Sequence, residues 1–181
     1  MYSPEQKKIL LSLARNSILS RFENIKFELP TDAAFAEKRG LFVSLHIGTE
    51  LRGCIGYIKG YKSITQSIAE MAQAAAFRDP RFSPLTRSEL DQLCLEISVL
   101  GDLIPLEKGD EPVIGRDGLY IEHPYGSGLL LPQVAVEWGW NANTFLRELC
   151  RKAGLAPSAY LDAQSNLYRF TAEVFSEADT F

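Results

Sequence analysis

Leu41-Phe42-Val43-Ser44-Leu45-His46-Ile47, Gly48-Thr49-Glu50 and Leu51-Arg52-Gly53-Cys54-Ile55-Gly56-Tyr57-Ile58 follow one another, and their reading decides the fold class. Leu41, Val43, Leu45 and Ile47 alternate with Phe42, Ser44 and His46, the period of a half-buried strand. A three-residue connection containing glycine predicts a β-hairpin. The expected register pairs Ile47 with Leu51, Leu45 with Gly53 and Val43 with Ile55. One face of the hairpin is then apolar. The other carries His46 beside Arg52, and Ser44 beside Cys54.

Helix signals flank the hairpin. Ser3-Pro4-Glu5-Gln6 combines a capping box with proline at the first helical position, and Ile9, Leu10, Leu13 and Ile18 continue at helical spacing to about residue 21. Segment 22–40 is mixed, with a short helix expected around Ala33–Lys38. Ser63-Ile64-Thr65-Gln66 opens a second helix, to about Phe77, whose alanines permit close approach to a sheet. Thr86-Arg87-Ser88-Glu89 opens a short third one, to about Gln92. Leu93–Leu100 alternates again, with Cys94, Glu96 and Ser98 opposite Leu95, Ile97 and Val99. Asp117-Gly118 predicts a hairpin joining Val113–Arg116 to Leu119–Glu122, followed by a turn over His123–Gly128 and a strand at Leu129–Leu131. A helix is expected from Asn143 or Thr144 to a cap at Gly154, and a last strand over Leu167–Phe175. Helices and hairpins alternate without a βαβ rhythm. The prediction is therefore an α+β fold with an antiparallel β-sheet flanked by helices. It is read as one unit over 1–181, with a smaller second lobe of short strands at about 101–140.

Bulk properties narrow the function classes. The 181 residues are 46% hydrophobic and carry a net charge of −4, enough for a core without staples. Lysine and arginine are scattered, so no basic patch points to nucleic acid. No apolar run reaches the ~20 residues of a membrane span, and the polar start predicts no secretory leader. Cys54, Cys94 and Cys150 are far apart, no CxxC occurs, and His46 and His123 are the only histidines; no metal site or cofactor is expected. Thiols in a well-cored chain fit a reducing, cytoplasmic setting.

The chemistry-bearing residues converge on the hairpin. Gly53 and Gly56 inside a strand mark a bulge, or a place where a ligand or a packed helix comes close. Cys54 between them is either a small buried residue or a nucleophile. Arg52 and His46 would then supply positive charge, His46 a base, and Glu96 an orienting carboxylate. Arg52 suits bidentate capture of a carboxylate or phosphate, or else an ion pair with Glu96, Asp79 or Glu137. Asp79-Pro80-Arg81-Phe82 reads as a docking loop, with Asp79 bonding backbone amides, Phe82 plugging the core and Arg81 able to line a site. His123 is expected to be exposed. Gly126-Ser127-Gly128 opens no helix and is discounted as a phosphate loop. Trp138, Trp140 and Tyr125 read as ordinary core and rim aromatics, with a contact surface the alternative.

These same residues resemble a known family. Leu51-Arg52-Gly53-Cys54-Ile55-Gly56 matches the six-residue signature of the AMMECR domain family. Similarity continues through Ala75–Pro84, Glu89-Leu90, Leu95–Leu100, Gly115–Leu119, Gly128–Ala135, Trp140, Phe145-Leu146, Cys150 and Lys152–Leu155. The resemblance implies an antiparallel α+β fold, a smaller lobe, and a cleft near the signature strand. Prokaryotic members are often named AmmeMemoRadiSam system protein A and are encoded beside a MEMO-like protein and a radical SAM protein, which implies a shared pathway or complex. No activity or catalytic role carries over. Two expectations follow: a ligand- or partner-binding component working with those proteins, using Arg52, Gly53, Gly56 and Arg81; or a cysteine-dependent acyl-transfer or hydrolase enzyme using Cys54 with His46 and Glu96.

Overall fold

A computed structural model describes residues 1–23, 25–107 and 109–179. The chain divides into two compact units, one comprising Met1–Val99 with the stretch from Glu173 on, the other Leu100–Ala172.

The first unit starts with helix α1, Pro4–Leu19. The Ser3 hydroxyl accepts from the Gln6 amide at 3.2 Å, and the Gln6 side chain accepts from the Ser3 amide at 2.9 Å. The capping box thus pairs two amides that lack helical partners. The inner face of α1 buries Leu10, Leu11, Leu13, Ala14 and Ile18. Next, Ala33–Ala36 forms a single 3-10 turn capped by Asp32, shorter than the expected helix, and sinks Phe35 into the core. Strands β1 (Leu41–Ile47) and β2 (Glu50–Tyr57) form the hairpin, and helix α2 (Ile64–Phe77) follows with its own capping box between Ser63 and Gln66. Buried Ser17 donates to the Ala69 carbonyl at 2.6 Å, tying α1 to α2 through a position where larger residues would separate them. Arg87–Gln92 is again a 3-10 turn rather than an α-helix.

Strand β3 (Leu93–Leu100) pairs with β1, and the sheet is completed by a strand at Ala172–Ser176 in the order β2-β1-β3 and then this last strand. Val43, Leu45, Leu95 and Ile97 are fully buried in one cluster with Leu10, Ile64, Ile68 and Ala72. Each such aliphatic side chain contributes about 1.5–3 kcal/mol by leaving water.

In the second unit a four-stranded antiparallel sheet has the order β4-β7-β5-β6. Its strands are β4 (Ile104–Pro105), β5 (Gly118–His123), β6 (Gly126–Leu130) and β7 (Asn166–Phe170). Helices α3 (Pro132–Glu137) and α4 (Ala142–Lys152) belong to it, the latter capped by Asn141. Leu119, Ile121, Leu130, Phe145, Leu149 and Cys150 form its core. The lobe expected at about 101–140 lies inside this unit.

Two sequence expectations are overturned here. Asp117-Gly118 is not the hairpin turn. The Asp117 carboxylate accepts from the Val113 amide at 2.9 Å and holds Arg116, so it closes its own loop, and β5 pairs instead with β6 through Pro124-Tyr125. The stretch Leu167–Phe175 is two strands, not one: β7 joins the second unit's sheet, while β8 (Ala172–Ser176) joins the first.

Candidate functional site

The hairpin is real, and its register departs from expectation at one place. The turn has two residues, Gly48-Thr49, with Gly48 at φ 60°. A positive φ at the first central residue alone is the type II′ pattern, which matches the twist of the flanking strands. Ile47 therefore pairs with Glu50 and His46 with Leu51, while Leu45 pairs with Gly53, Ser44 with Cys54 and Val43 with Ile55. Arg52 is the extra residue of a β-bulge, so it does not stand opposite His46 as expected.

The remaining register brings together what alternation predicted. Cys54, Ser44 and Glu96 form one row across β2, β1 and β3; Leu51, His46 and Cys94 form the next. In antiparallel pairs opposed residues share a face. The thiol, the imidazole and the carboxylate thus lie on one face of the sheet, each half-buried. The Ser44 hydroxyl reaches the Cys54 sulfur at 3.2 Å, in keeping with the expected placement of these two side by side.

Arg52 is held from another direction. Its Nε donates to Glu89 Oε1 at 2.7 Å and its Nη2 to Glu89 Oε2 at 3.3 Å; none of the carboxylates expected as its partner fills that role. Glu89 does two jobs, because its Oε2 also accepts from the Thr86 amide at 2.8 Å and the Thr86 hydroxyl at 2.7 Å. Chiefly through the Arg52 hydrogen bond, the Glu89 carboxyl is held at about 2, against an ordinary value of 4.5. Arg52 Nη1 is buried and has no hydrogen-bond partner among the described residues, and the side chain as a whole is only 14% exposed.

The loop after α2 closes on the same strand. The Asp79 carboxylate, 1% exposed, accepts from the Cys54 amide at 2.9 Å and the Arg81 amide at 3.1 Å. It also takes both Nε and Nη2 of Arg81, at 3.0 and 2.7 Å. The Arg81 fork, followed by the two amides, holds this carboxyl well below the usual carboxylate range against the opposing effect of burial. Arg81 Nη2 in turn donates to the Cys54 carbonyl at 3.2 Å, and the Cys54 sulfur lies close enough to be felt by the guanidinium. Phe82 does not plug the core. Its half-buried ring lies beneath both guanidinium groups, 6.0 Å from Arg52 and 5.3 Å from Arg81. Two cations flanking one aromatic ring would repel unless each had its own carboxylate, and each does.

The motif's glycines have packing reasons. A Cβ on Gly53 would lie 2.2 Å from the Ala75 carbonyl oxygen of α2; one on Gly56 would lie 2.4 Å from the Phe42 ring. Gly126 and Gly128 likewise face Ala153 at the end of α4.

Among the other singled-out residues, His123 is not exposed: its side chain retains 6% exposure. Its Nδ1 accepts from the Tyr125 amide at 3.2 Å, and Nε2 stands 3.6 Å from Asp162. The Tyr125 ring packed 5.4 Å from the imidazole and the Asp162 carboxylate help cover it where the turn suggested exposure. Trp138 and Trp140 stack at 6.0 Å with Trp138 70% exposed, while Tyr125 packs on His123 instead. Among the described residues, no cluster of histidine, cysteine and carboxylate groups could hold a metal ion, and no helix is long and apolar enough to cross a membrane.

Glu89 and Phe82 are the site residues that the sequence reading missed. The signal for Glu89 was present, at the third helical position of a capping box, but that role hid the second.

Comparison with known proteins places this arrangement in context. The family model described as AMMECR1 matches residues 11–175. A protein from Methanothermobacter thermautotrophicus is 42% identical over 184 residues, covering 97% of this chain and 96% of the relative. Protein MJ0810 from Methanocaldococcus jannaschii is 44% identical over 153 residues, covering 80% of this chain and 76% of the relative. The crystal structure titled uncharacterized protein PH0010, from Pyrococcus horikoshii, superposes with a TM-score of 0.87 at 39% identity, covering 96% of this chain and 92% of that one. The antiparallel α+β fold is shared with that structure.

Proposed function

Since this chain belongs to the AMMECR1 family, we propose that it is a binding component whose β2 motif captures a small carboxylate- or phosphate-bearing ligand. In this reading it works with MEMO-like and radical SAM partners. One observation carries the ligand half of the reading: the buried Nη1 of Arg52 lacks an acceptor among the described residues while the rest of that guanidinium is fixed on Glu89. An unpaired buried donor costs about 1–3 kcal/mol, which an arriving anion would recover. Arg81, 55% exposed and anchored by Asp79, supplies a second cation across the Phe82 ring. Gly53 and Gly56 serve by keeping β2 thin, and a cleft along this strand is part of the proposal.

The test is titration of the whole chain with inorganic phosphate and with acetate, followed by NMR at the Arg52 Nε–H and the Phe82 amide. Saturable shifts confined to these groups are expected, with the Phe82 response lost in Arg52→Lys, where the Nε–H signal itself is absent. Shifts that are absent, or that persist in the variant, refute the ligand reading. Affinity capture from the native host tests the partners; recovery of neither a MEMO-like nor a radical SAM protein counts against them.

A second reading, a cysteine-dependent enzyme of acyl-transfer or hydrolase type, draws on the Ser44 hydroxyl at the Cys54 sulfur and on the shared face with His46 and Glu96. Cys54 would be the nucleophile, His46 the base and Glu96 the orienting group. The rate of thiol labelling against pH decides it: a Cys54 that is inert, or that titrates above about 8.5, removes the thiolate on which it depends.

A further inference from the structure

We propose that the second unit carries a binding site of its own, for a small organic ammonium ion with an apolar body. The inference is independent of the reading at β2 and uses none of its residues.

The site is a half-open hollow of about 270 Å³ formed wholly within this unit, between the loop after β4, the start of α4 and the segment around Tyr160. An engineered cavity of roughly 150 Å³ accepts a benzene molecule. This one therefore has room for an aromatic ring and a short alkyl chain. Its floor is hydrocarbon: Leu106 and Leu146 are buried and Leu167 is half-buried, while Leu161, 65% exposed, stands at the edge. The Tyr160 ring adds an aromatic wall, and its hydroxyl is oriented by Asn143 Oδ1 at 3.4 Å.

Among the described residues the rim is acidic. Glu107, Asp110 and Glu111 all line it, and no lysine or arginine does among the described lining residues. In sequence the loop 107–111 sets three carboxylates against one lysine. An apolar floor below a negative rim matches a ligand that buries a hydrocarbon part and leaves a positive head at the mouth. An anionic ligand of the same shape would meet repulsion from the same carboxylates. A neutral one would gain the floor alone. The tyrosine face offers the ammonium a further attraction. The occupant is therefore a free amine of small-molecule size.

Three probes of one shape separate these contributions: 4-phenylbutylamine, 4-phenylbutanol and 4-phenylbutyrate, each titrated into the intact chain. Methyl NMR of Leu106, Leu146, Leu161 and Leu167 reports occupancy of the hollow. The amine is expected to saturate these signals, to bind roughly three- to ten-fold more tightly than the alcohol, and to lose that margin in 0.5 M salt, as partly exposed charge pairs do. The butyrate is expected not to bind. Replacing all three rim carboxylates, Glu107→Gln, Asp110→Asn and Glu111→Gln, should bring the amine down to the affinity of the alcohol without moving the Leu149 and Phe145 core signals. Equal affinity of amine and alcohol for the parent chain overturns the proposal. So does binding of the butyrate, an amine affinity untouched by the triple replacement, or saturation without change at the four leucines.

Discussion

Gly53→Ala should be among the most damaging single-methyl additions in the chain, and its cost can be worked from one distance. The added Cβ would stand 2.2 Å from the Ala75 carbonyl oxygen and 3.1 Å from its carbon, where ordinary contact begins at 3.4 Å. Both neighbours are backbone, so no rotamer change relieves the overlap. Strand β2 and helix α2 must part by about 1 Å, and a radial gap of that size forfeits roughly a quarter to a half of each dispersion contact along the seam. Overpacking of a well-filled core costs about 1–3 kcal/mol, and a rigid neighbour puts this case at or above the top of that range. With a urea slope of about 1–3 kcal/mol per molar, the midpoint should fall by roughly 1 M or more. Gly48→Ala is the control. A methyl added at Gly48 would have nothing within 4 Å and would suffer only the φ of 60°, worth about 1–2 kcal/mol. Unfolding should be followed by far-UV ellipticity, to which the first unit contributes the 16-residue α1 and the 14-residue α2. Fluorescence of Trp138 and Trp140 follows the second unit separately. A Gly53→Ala midpoint within about 0.3 M of the parent, or a larger loss for Gly48→Ala, would refute the claim that this glycine is there for helix packing.

Three further outcomes are expected. The Glu89 carboxyl, held at about 2 against its ordinary 4.5, contributes stability that is whole above the ordinary value and declines as the pH falls through the folded one. Parent and Glu89→Gln should therefore differ by on the order of 1–2 kcal/mol at neutral pH and converge near pH 2 in denaturant titrations. Ser98→Ala should be neutral or stabilising by up to about 1 kcal/mol in thermal melts, since the Ser98 hydroxyl is buried without a partner among the described residues. In mass-spectrometric labelling of the native chain, Cys150, fully buried with its thiol pushed up by burial, should stay unmodified while half-buried Cys94 reacts.

What was legible in the sequence divides along a physical line. The boxes at Ser3–Gln6 and Ser63–Gln66 involve partners three residues apart, so the helix starts could be read directly. Alternation along 41–47 and 93–100 placed Cys54, His46 and Glu96 on one face, because a register shared by three strands depends only on period and turn. The glycines signalled a bulge and a packed helix, and both are found at Gly53, but the partner of Arg52, the bulge's extra residue, was out of reach because its guanidinium is drawn to Glu89, far along the chain. Asp117-Gly118 misled for a related reason. The aspartate prefers an amide of its own loop and a neighbouring guanidinium to the tight turn that its type favours. The break at Thr171 is invisible to periodicity, which cannot assign successive strands to different sheets.

The signature strand and the Asp79–Phe82 loop are one device, and the reason lies in the sheet's edge. β2 is an outer strand, and an outer strand presents amides and carbonyls that invite pairing with another chain. At Cys54 both outward groups are taken, the amide by Asp79 and the carbonyl by Arg81, and the two capping residues are locked to each other. The loop thus covers the edge with charge rather than with a further strand. That choice has a consequence a strand would not bring. It sets one guanidinium on the Cys54 carbonyl and, with Arg52, two over the Phe82 ring, leaving a polar, cation-bearing surface where a paired edge would be inert. Breaking the lock by Asp79→Ala would free the Cys54 amide and the Arg81 fork together, so edge protection and the proposed ligand capture should fail in the same variant.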